Sequence, residues 1–216
     1  MRIGIFGTGM VGETIGFKLV QLGHQVMLGS RTSNNAKGAA WAAKHGKAAS
    51  HGSFAETAAF ADELLFNCTK GASSVEVLES AGEPLLRGKI LLDVANPLVF
   101  EPGAGMKLAF GGDDSLGERL QAAVPSLRVV KTLNTVNCAV MVEPSRVPGT
   151  HTMFMCGDDA EAKRRVLAVL TDWFGWRDVI DLGDIKAARA TEGLMPLWLK
   201  LWGGLKTSDF NIQVVR

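Results

Sequence analysis

The residues that most clearly indicate chemistry lie at the start of the chain, where glycines follow a short apolar run. The segment RIGIF is followed by the pattern G-x-G-x-x-G, and apolar residues then recur at helical spacing. In a strand–turn–helix unit, such glycines allow a tight turn, close approach of the backbone to a pyrophosphate, and close packing of helix on strand. Free N–H groups at the helix start then bind phosphate oxygens. The pattern therefore predicts a dinucleotide site, with a glycine-rich turn in another α/β protein as the alternative; its residues are Gly7, Thr8, Gly9, Met10, Val11 and Gly12.

A second group of polar residues, Ser30, Arg31 and Thr32, stands where the second strand is expected to end. An acidic residue at this place accepts hydrogen bonds from the adenosine ribose of NAD, whereas an arginine pairs with the 2′-phosphate of NADP. Hydrogen bonds to charged groups contribute about 1.5–3 kcal/mol each, so two or three of them would favour NADP strongly. We therefore predict NADP as the cofactor. The alternative is a solvated turn arginine in a protein that binds NAD or another nucleotide.

Polar residues also follow three later strands, at the carboxyl edge where ligands bind in sheets of this kind. We expect Thr69 and Lys70 near the nicotinamide ribose and the pyrophosphate. Beside the nicotinamide ring we expect Asn96 with Pro97, and Asn134 with Thr135. Asn134 and Thr135 would act as positioning residues. The residues expected beside the nicotinamide ring have an alternative role, because asparagines at strand ends are also common turn formers.

These loops contain no obvious general acid or base. The chain has no tyrosine, which excludes the Tyr-x-x-x-Lys chemistry of short-chain dehydrogenases. This favours hydride exchange between NADP(H) and a second redox molecule, in which the protein mainly positions two rings. One alternative is NADPH-dependent reduction of a small carbonyl or imine substrate, with Lys70 or Lys131 as proton donor. Another is a protein that senses NADPH without turnover, because fold alone does not decide function.

Length, composition and charge limit the classes of protein to which this chain can belong. A length of 216 residues suits one substantial domain with a small extension, and a net charge of +1 indicates neither a nucleic-acid nor a membrane-surface partner. Three scattered cysteines without a His/Cys cluster predict no metal site and a reducing, cytoplasmic setting. The apolar run GLMPLWLKLWGGL is too short and too interrupted to span a bilayer, and no targeting peptide is expected.

Strand-like and helix-like segments alternate, which predicts an α/β fold: a doubly wound parallel sheet of Rossmann type with a small C-terminal helical extension. We expect residues 1–150 to form the NADP-binding domain and residues 151–216 a smaller part that completes the second-substrate pocket. The Gly- and Pro-rich segment 97–114 is expected to be an irregular loop near the site. Strands are predicted over 2–7, 25–29, 62–68, 88–96, 127–137, 151–159 and 176–184, and helices over 11–22, 34–46, 53–61, 73–82, 115–125 and 159–175, with a mostly helical tail over 185–205.

The tail carries an apolar stripe at helical spacing, with Trp202 beside it. The stripe is typical of a core helix or a dimer helix. A sharper interpretation makes Trp198 or Trp202 one wall of a flat pocket for a flavin-like ring. Glycines in this region would permit close packing across a two-fold axis, so we expect a homodimer. The stripe consists of Leu194, Trp198, Leu201 and Leu205.

Taken in order, the motifs GTGMVG, GSRT, DVANPL, VKTLNT and CGDD resemble those of the NADP-dependent coenzyme F420 reductase family, whose members use a deazaflavin. The resemblance covers essentially the whole chain. It implies a Rossmann domain with a C-terminal part that closes the second-substrate pocket, and it places Thr8, Ser30 and Arg31 at the NADP phosphates. It also implies a small-molecule redox cosubstrate, a flavin or a deazaflavin, which meets the nicotinamide at the TLNT segment. Members of this broad family also resemble the cytosolic reductase domain of membrane ferric reductases.

Overall fold

The fold is built around one large sheet with helices packed on both of its faces. The computed structural model describes residues 1–103 and 105–216. The strands are Arg2–Phe6 (β1), Gln25–Ser30 (β2), Ala49–Ser53 (β3), Leu64–Asn67 (β4), Ile90–Asp93 (β5), Leu98–Glu101 (β6), Gly105–Leu108 (β7), Arg128–Thr132 (β8), Thr152–Cys156 (β9) and Asp178–Asp181 (β10). The helices are Met10–Gln21 (α1), Ala36–His45 (α2), Phe54–Phe60 (α3), Ser74–Ala81 (α4), Glu83–Leu86 (α5), Leu116–Ala123 (α6), Cys138–Val142 (α7), Ala160–Ala168 (α8), Ala188–Gly193 (α9) and Met195–Leu205 (α10).

Eight strands form the large sheet in the order β10-β9-β8-β5-β4-β1-β2-β3. Side chains alternate between the two faces of the central strands, so that Leu64 and Phe66 enter one apolar cluster and Leu65 the other. Burial on both faces is the environment that gives parallel strands their continuous apolar sequences. The predicted α/β fold of Rossmann type, with helices after the sheet, is confirmed.

The sheet is mostly parallel, as predicted, and departs from the parallel arrangement at one strand pair. β9 pairs antiparallel with β8, with Lys131 opposite Cys156, and β10 is parallel to β9. The connection over 133–151 contains only the five-residue α7 and a short 3-10 turn. Because the chain does not cross back over a face of the sheet, it re-enters from the carboxyl edge and runs in the opposite direction.

Two further strand assignments differ from the sequence-based prediction. β3 has the short polar sequence ASHGS, which carries no apolar period, and it is held by its five-residue register with β2. The segment 97–114 is not wholly irregular, because β6 and β7 pair antiparallel within it, with Leu98 opposite Leu108. These two strands lie in a Gly- and Pro-rich segment, whose composition indicates a loop and not a strand.

The last residues of the chain run back from α10 along β9. The Thr152 N–H donates to the Ile212 carbonyl at 2.9 Å, and the Val214 N–H donates to the Thr152 hydroxyl at 3.0 Å. Residues 151–216 thus supply two strands of the large sheet as well as the helices α9 and α10. In the part of the chain that the structure describes, no helix has the length and apolar character needed to cross a bilayer.

Candidate functional site

The glycine-rich turn between β1 and α1 has the geometry of a phosphate-binding loop. Gly7 has φ +119°, and a Cβ atom built on it would lie 2.6 Å from the Cys68 carbonyl oxygen. A Cβ atom on Gly12 would lie 2.4 Å from the Gly7 carbonyl oxygen, whereas one on Gly9 would meet nothing within 4 Å. Gly9 therefore borders open space at the start of α1. No side chain of the described residues caps this helix, so its first N–H groups keep their capacity to bind an anion.

The turn after β2 presents one arginine to solvent. Ser30 is buried, and its hydroxyl donates to the Thr32 carbonyl at 2.6 Å, which holds the turn in shape. Arg31 and Thr32 are exposed, and among the described residues Arg31 takes part in no ion pair. The next helix, α2, is capped by Asn35, whose side chain accepts from the Gly38 N–H at 2.9 Å. The structure thus leaves the Arg31 guanidinium available beside the glycine-rich turn, since β1 and β2 are neighbours in register.

The loops after β4 and β5 interlock at the carboxyl edge. A Cβ atom on Gly71 would lie 2.2 Å from the Asn96 carbonyl oxygen, so only glycine fits there without moving backbone. The Thr69 hydroxyl donates to Asn67 Oδ1 at 2.6 Å, and Asn67 Nδ2 donates to Asp93 Oδ1 at 2.8 Å. These bonds hold Thr69 at the edge of the sheet.

The two remaining predicted residues of these loops are placed differently. The Lys70 side chain is exposed. Pro97 is buried, and its carbonyl accepts from the Ala109 N–H at 2.7 Å, which closes the base of the β6–β7 hairpin.

Asn96 and Asn134, from the exits of β5 and β8, form a reciprocal amide pair. Asn96 Nδ2 donates to the Asn134 carbonyl at 2.7 Å, and Asn134 Nδ2 donates to Asn96 Oδ1 at 2.9 Å. The first bond fixes the orientation of the Asn96 amide, and the second then fixes that of Asn134. Asn134 is 3% exposed, and neither its Oδ1 nor the neighbouring Thr135 hydroxyl has a hydrogen-bond partner among the described residues. Buried acceptors without a partner are uncommon, and they indicate a place for a ligand.

The backbone is strained where these residues begin. Leu133, fully buried, has φ +63°, in the left-handed region that costs an L-residue about 1–2 kcal/mol. Strain of this kind persists only where the surroundings enforce it, and it is common in binding sites. Here it turns the chain out of β8 and directs Asn134 towards Asn96.

A cavity of about 300 Å³ lies at this edge, between the strand exits and α10. Its walls are mainly apolar, with contributions from the β6–β7 hairpin and from α10, including Trp202. Trp198 stacks on Phe210 of the C-terminal segment, with ring centroids 5.4 Å apart. The Asn137 side chain accepts from two N–H groups at the start of α7 and donates to Asp209 at 3.0 Å, which anchors that segment. Among the lining residues are Val11, Thr69, Asn96, Asn134, Met195 and Trp198.

Beneath the cavity lies a buried cluster of three charges. Lys131 Nζ donates to Asp93 Oδ2 at 2.8 Å and lies 2.9 Å from Glu192 Oε1, and it also donates to the Ala95 carbonyl. The Leu116 N–H donates to Glu192 Oε2 at 2.8 Å. Burial raises the pKa of Glu192 against the opposing effect of Lys131. Burial lowers the pKa of Lys131, but the two carboxylates outweigh it and the net shift is upward.

The contacts within this cluster decide whether Lys131 can act as a proton donor to a substrate. All three donor positions of its ammonium group are used, it is fully buried, and its pKa is raised rather than lowered towards neutrality. It therefore cannot supply a proton to a carbonyl or imine in the cavity. Nor does the Cys68 thiol take this role, since burial raises its pKa. In the described part of the chain no group of three side chains could hold a metal ion.

Several residues of this site escape sequence reasoning. Asp93 and Lys131 each interrupt an apolar strand near its end, which is a weak signal that could have been used. Glu192 and Gly71 carry no such signal, because their partners are distant in sequence or are backbone atoms.

Comparisons with known proteins show the family to which the chain belongs. Residues 2–97 match the family described as NADP oxidoreductase, coenzyme F420-dependent. A protein of Arthrobacter sp. FB24, proposed to be an F420-dependent NADP reductase, is 45% identical in its crystal structure, with TM-score 0.93 and full coverage of both chains.

More distant proteins share parts of the fold. Metalloreductase STEAP3 of Rattus norvegicus is 27% identical over 201 residues, which are 91% of this chain and 38% of that protein's length. A reductive aminase of Aspergillus terreus, solved with NADPH, is 21% identical with TM-score 0.66, over 95% of this chain and 63% of the other. That last likeness shows the fold alone.

Proposed function

Because the chain belongs to the family of coenzyme F420-dependent NADP oxidoreductases, we propose that it exchanges hydride between NADP(H) and a flavin or deazaflavin. Membership makes it an NADP-dependent oxidoreductase that binds NADP(H). The observation that carries the finer proposal is the cavity beside Asn96 and Asn134, which has two tryptophans in its wall and, among the described residues that line it, no carboxylic acid, histidine or lysine. Such a cavity suits a second planar redox ring better than a carbonyl compound that needs a proton donor.

NADP(H) is proposed to lie across the carboxyl edge of the sheet. The turn from Gly7 to Gly12 would hold the pyrophosphate at the start of α1, and Ser30, Arg31 and Thr32 would hold the 2′-phosphate. The Ser30 hydroxyl already donates a hydrogen bond to the Thr32 carbonyl. Arg31 would therefore provide most of the preference for NADP(H) over NAD(H). Thr69 and Lys70 would lie beside the nicotinamide ribose, and the nicotinamide would enter the cavity at the strand exits.

The protein's contribution to the reaction is positioning. NADPH, when bound, supplies the hydride. The asparagine pair is rigid, because each amide is fixed by the other and Leu133 fixes the backbone before it. The apolar wall from α10 and the hairpin would limit access of water to the meeting place of the rings once both are bound. Holding two reactants in one orientation in a dry cavity is sufficient for a large rate enhancement.

The direct test is an acceptor assay on the purified protein. NADPH or NADH is mixed with F420, FMN or FAD, and absorbance is followed at 340 nm. We expect rapid oxidation of NADPH by at least one acceptor and little oxidation of NADH. Tight NADPH binding without turnover by any of the three acceptors would refute the proposed exchange and leave only the cofactor site.

We also propose that the protein is a homodimer. The support is an exposed apolar surface on α10 and the hairpin, which contact each other at the mouth of the cavity. Five large apolar side chains there are each more than 45% exposed: Phe100, Met106, Leu197, Trp202 and Leu205.

A further inference from the structure

Two buried polar atoms that have no hydrogen-bond partner among the described residues belong to side chains lining the same cavity, and they are complementary. Asn134 Oδ1 is an acceptor and Trp198 Nε1 is a donor. We propose that together they recognise the imide edge of the second substrate, where a ring N–H stands next to a ring carbonyl. This rests on the proposed function and names the part of the ring that the protein would recognise, the pyrimidinedione imide that flavins and deazaflavins share.

The acceptor is assigned by the network and not by assumption. Asn96 Nδ2 must face the Asn134 backbone carbonyl, because a carbonyl can only accept. Asn96 Oδ1 then faces the Asn134 amide, which must present Nδ2 to it at 2.9 Å. Asn134 Oδ1 is left without a donor in a residue that is 3% exposed. An N–H group of a ligand would satisfy it.

The donor is held just as firmly. The ring planes of Trp198 and Phe210 differ by 28°, and those of Trp198 and Trp202 by 32°, so aromatic neighbours restrain the indole. Phe210 is restrained in turn because Asp209, next to it, bonds Asn137 and pairs with Arg146 at 2.8 Å. An indole N–H can only donate, and a buried one usually has a partner. A carbonyl group of a ligand is the missing partner.

The nicotinamide carboxamide also carries an N–H next to a carbonyl. We assign the pair to the second ring because Trp198 belongs to α10, which is separate from the glycine-rich turn and the strand exits where NADP(H) is proposed to lie. Asn134 lies at the exit of β8, where the nicotinamide is also expected, so the position of Trp198 decides the assignment. The experiment separates the two sources.

The test measures binding of compact ring systems to the protein saturated with NADP⁺. The probes are lumiflavin, 5-deazalumiflavin and their N3-methyl derivatives, which lack the imide N–H. Wild type should bind each N3–H ring at least about tenfold more tightly than its N3-methyl partner, as expected when a buried acceptor loses its donor. Trp198→Phe should weaken all four probes about two- to tenfold, the contribution of one neutral hydrogen bond. Trp202→Phe, the matched control in the same cavity, should change them little.

Two substitutions of Asn134 distinguish its role as a hydrogen-bond acceptor from its role in holding the site in shape. Asn134→Leu should abolish the preference for N3–H rings, whereas Asn134→Asp keeps an acceptor oxygen and should retain it. Melting temperatures of all variants report whether the fold is intact. Equal binding of N3–H and N3-methyl rings by wild type would overturn the proposal.

Two other outcomes are distinguishable. If the rings bind and oxidise NADPH but Trp198→Phe and Asn134→Leu change nothing, the hydride exchange stands and the imide assignment falls. If Trp198→Phe weakens NADPH but not its 3-acetylpyridine analogue, which lacks the amide N–H, the pair serves the nicotinamide and the assignment also falls. Absence of both binding and turnover for every ring refutes the proposed function itself.

Discussion

At the scale of single residues, the site depends on a few backbone and side-chain positions that admit little change. The φ angle of +63° at Leu133 turns the chain so that Asn134 meets Asn96, and Gly71 lets the β4 loop approach the Asn96 carbonyl. Neither residue is proposed to touch a substrate. Both instead hold in place residues that are proposed to touch a substrate, as a rigid scaffold does when it positions loops for binding.

Arg31 carries the prediction that belongs to this scale. Arg31→Ala should weaken NADPH binding about tenfold or more, because charged hydrogen bonds to a phosphate contribute about 1.5–3 kcal/mol each. NADH has no 2′-phosphate, so its binding should change little. Titration of each nucleotide by fluorescence measures both dissociation constants. Lys37→Ala, which removes another exposed cation from the neighbouring helix, is the control, and equal losses for NADPH and NADH would contradict the 2′-phosphate assignment.

At the scale of elements, Glu192 joins parts of the fold that are far apart in the sequence. From α9 it accepts the N–H groups of Leu116 and Gly117 at the start of α6, and it pairs with Lys131 of β8. Lys131 in turn pairs with Asp93 at the end of β5. One ammonium thus compensates two buried carboxylates, with the start of α6 assisting, and α9 is held against the sheet beneath α10.

Removing that ammonium should be costly. Lys131→Met leaves two buried carboxylates without their cation, and loss of one partner from a buried ion pair costs about 3–5 kcal/mol of unfolding free energy. The loss should grow with pH. Burial already raises the pKa of Glu192 above its usual 4.5, and a group with a raised pKa in the folded state loses its stabilising effect as pH rises through that pKa.

Urea unfolding at pH 5 and pH 8 measures this dependence. In wild type the stabilising contribution of Lys131 should persist at both pH values. Its pKa is raised from 10.5, so this contribution is lost only at pH values above that raised pKa. Lys107→Met, which removes an exposed ion pair with Glu101, is the matched control and should change stability little. A small and pH-independent effect of Lys131→Met would contradict the role of the cluster.

At the scale of the whole molecule, the exposed apolar surface of α10 and the hairpin is where a second copy of the chain would bind. We predict a solution mass of twice the chain's 23.0 kDa by light scattering at micromolar concentration. Leu205→Glu, placed on that surface, should halve the mass, since a charge buried without a partner opposes association. Val215→Glu, at an exposed apolar residue outside α10 and the hairpin, should leave it unchanged. A mass of one chain for the wild-type protein would refute the dimer.

The sequence by itself determined the parts of this protein that depend on neighbouring residues. A glycine pattern between an apolar strand and a helix, and the alternation of strands and helices, are local, and they were sufficient to predict the α/β fold. Membership in an NADP-dependent family was indicated by the resemblance of several short motifs, which are local too. The asparagines at the strand exits were also found, because parallel strands bring their carboxyl ends to one edge.

Only the tertiary structure decided what depends on partners distant in the chain. The direction of β9, the polar strand β3 and the short hairpin follow from pairing with neighbours and not from any period of their own. Lys131 changed from a candidate proton donor to a buried structural cation because Glu192, some sixty residues later, lies against it. Burial gives such residues their chemistry, and burial is a property of the packed molecule, not of a segment.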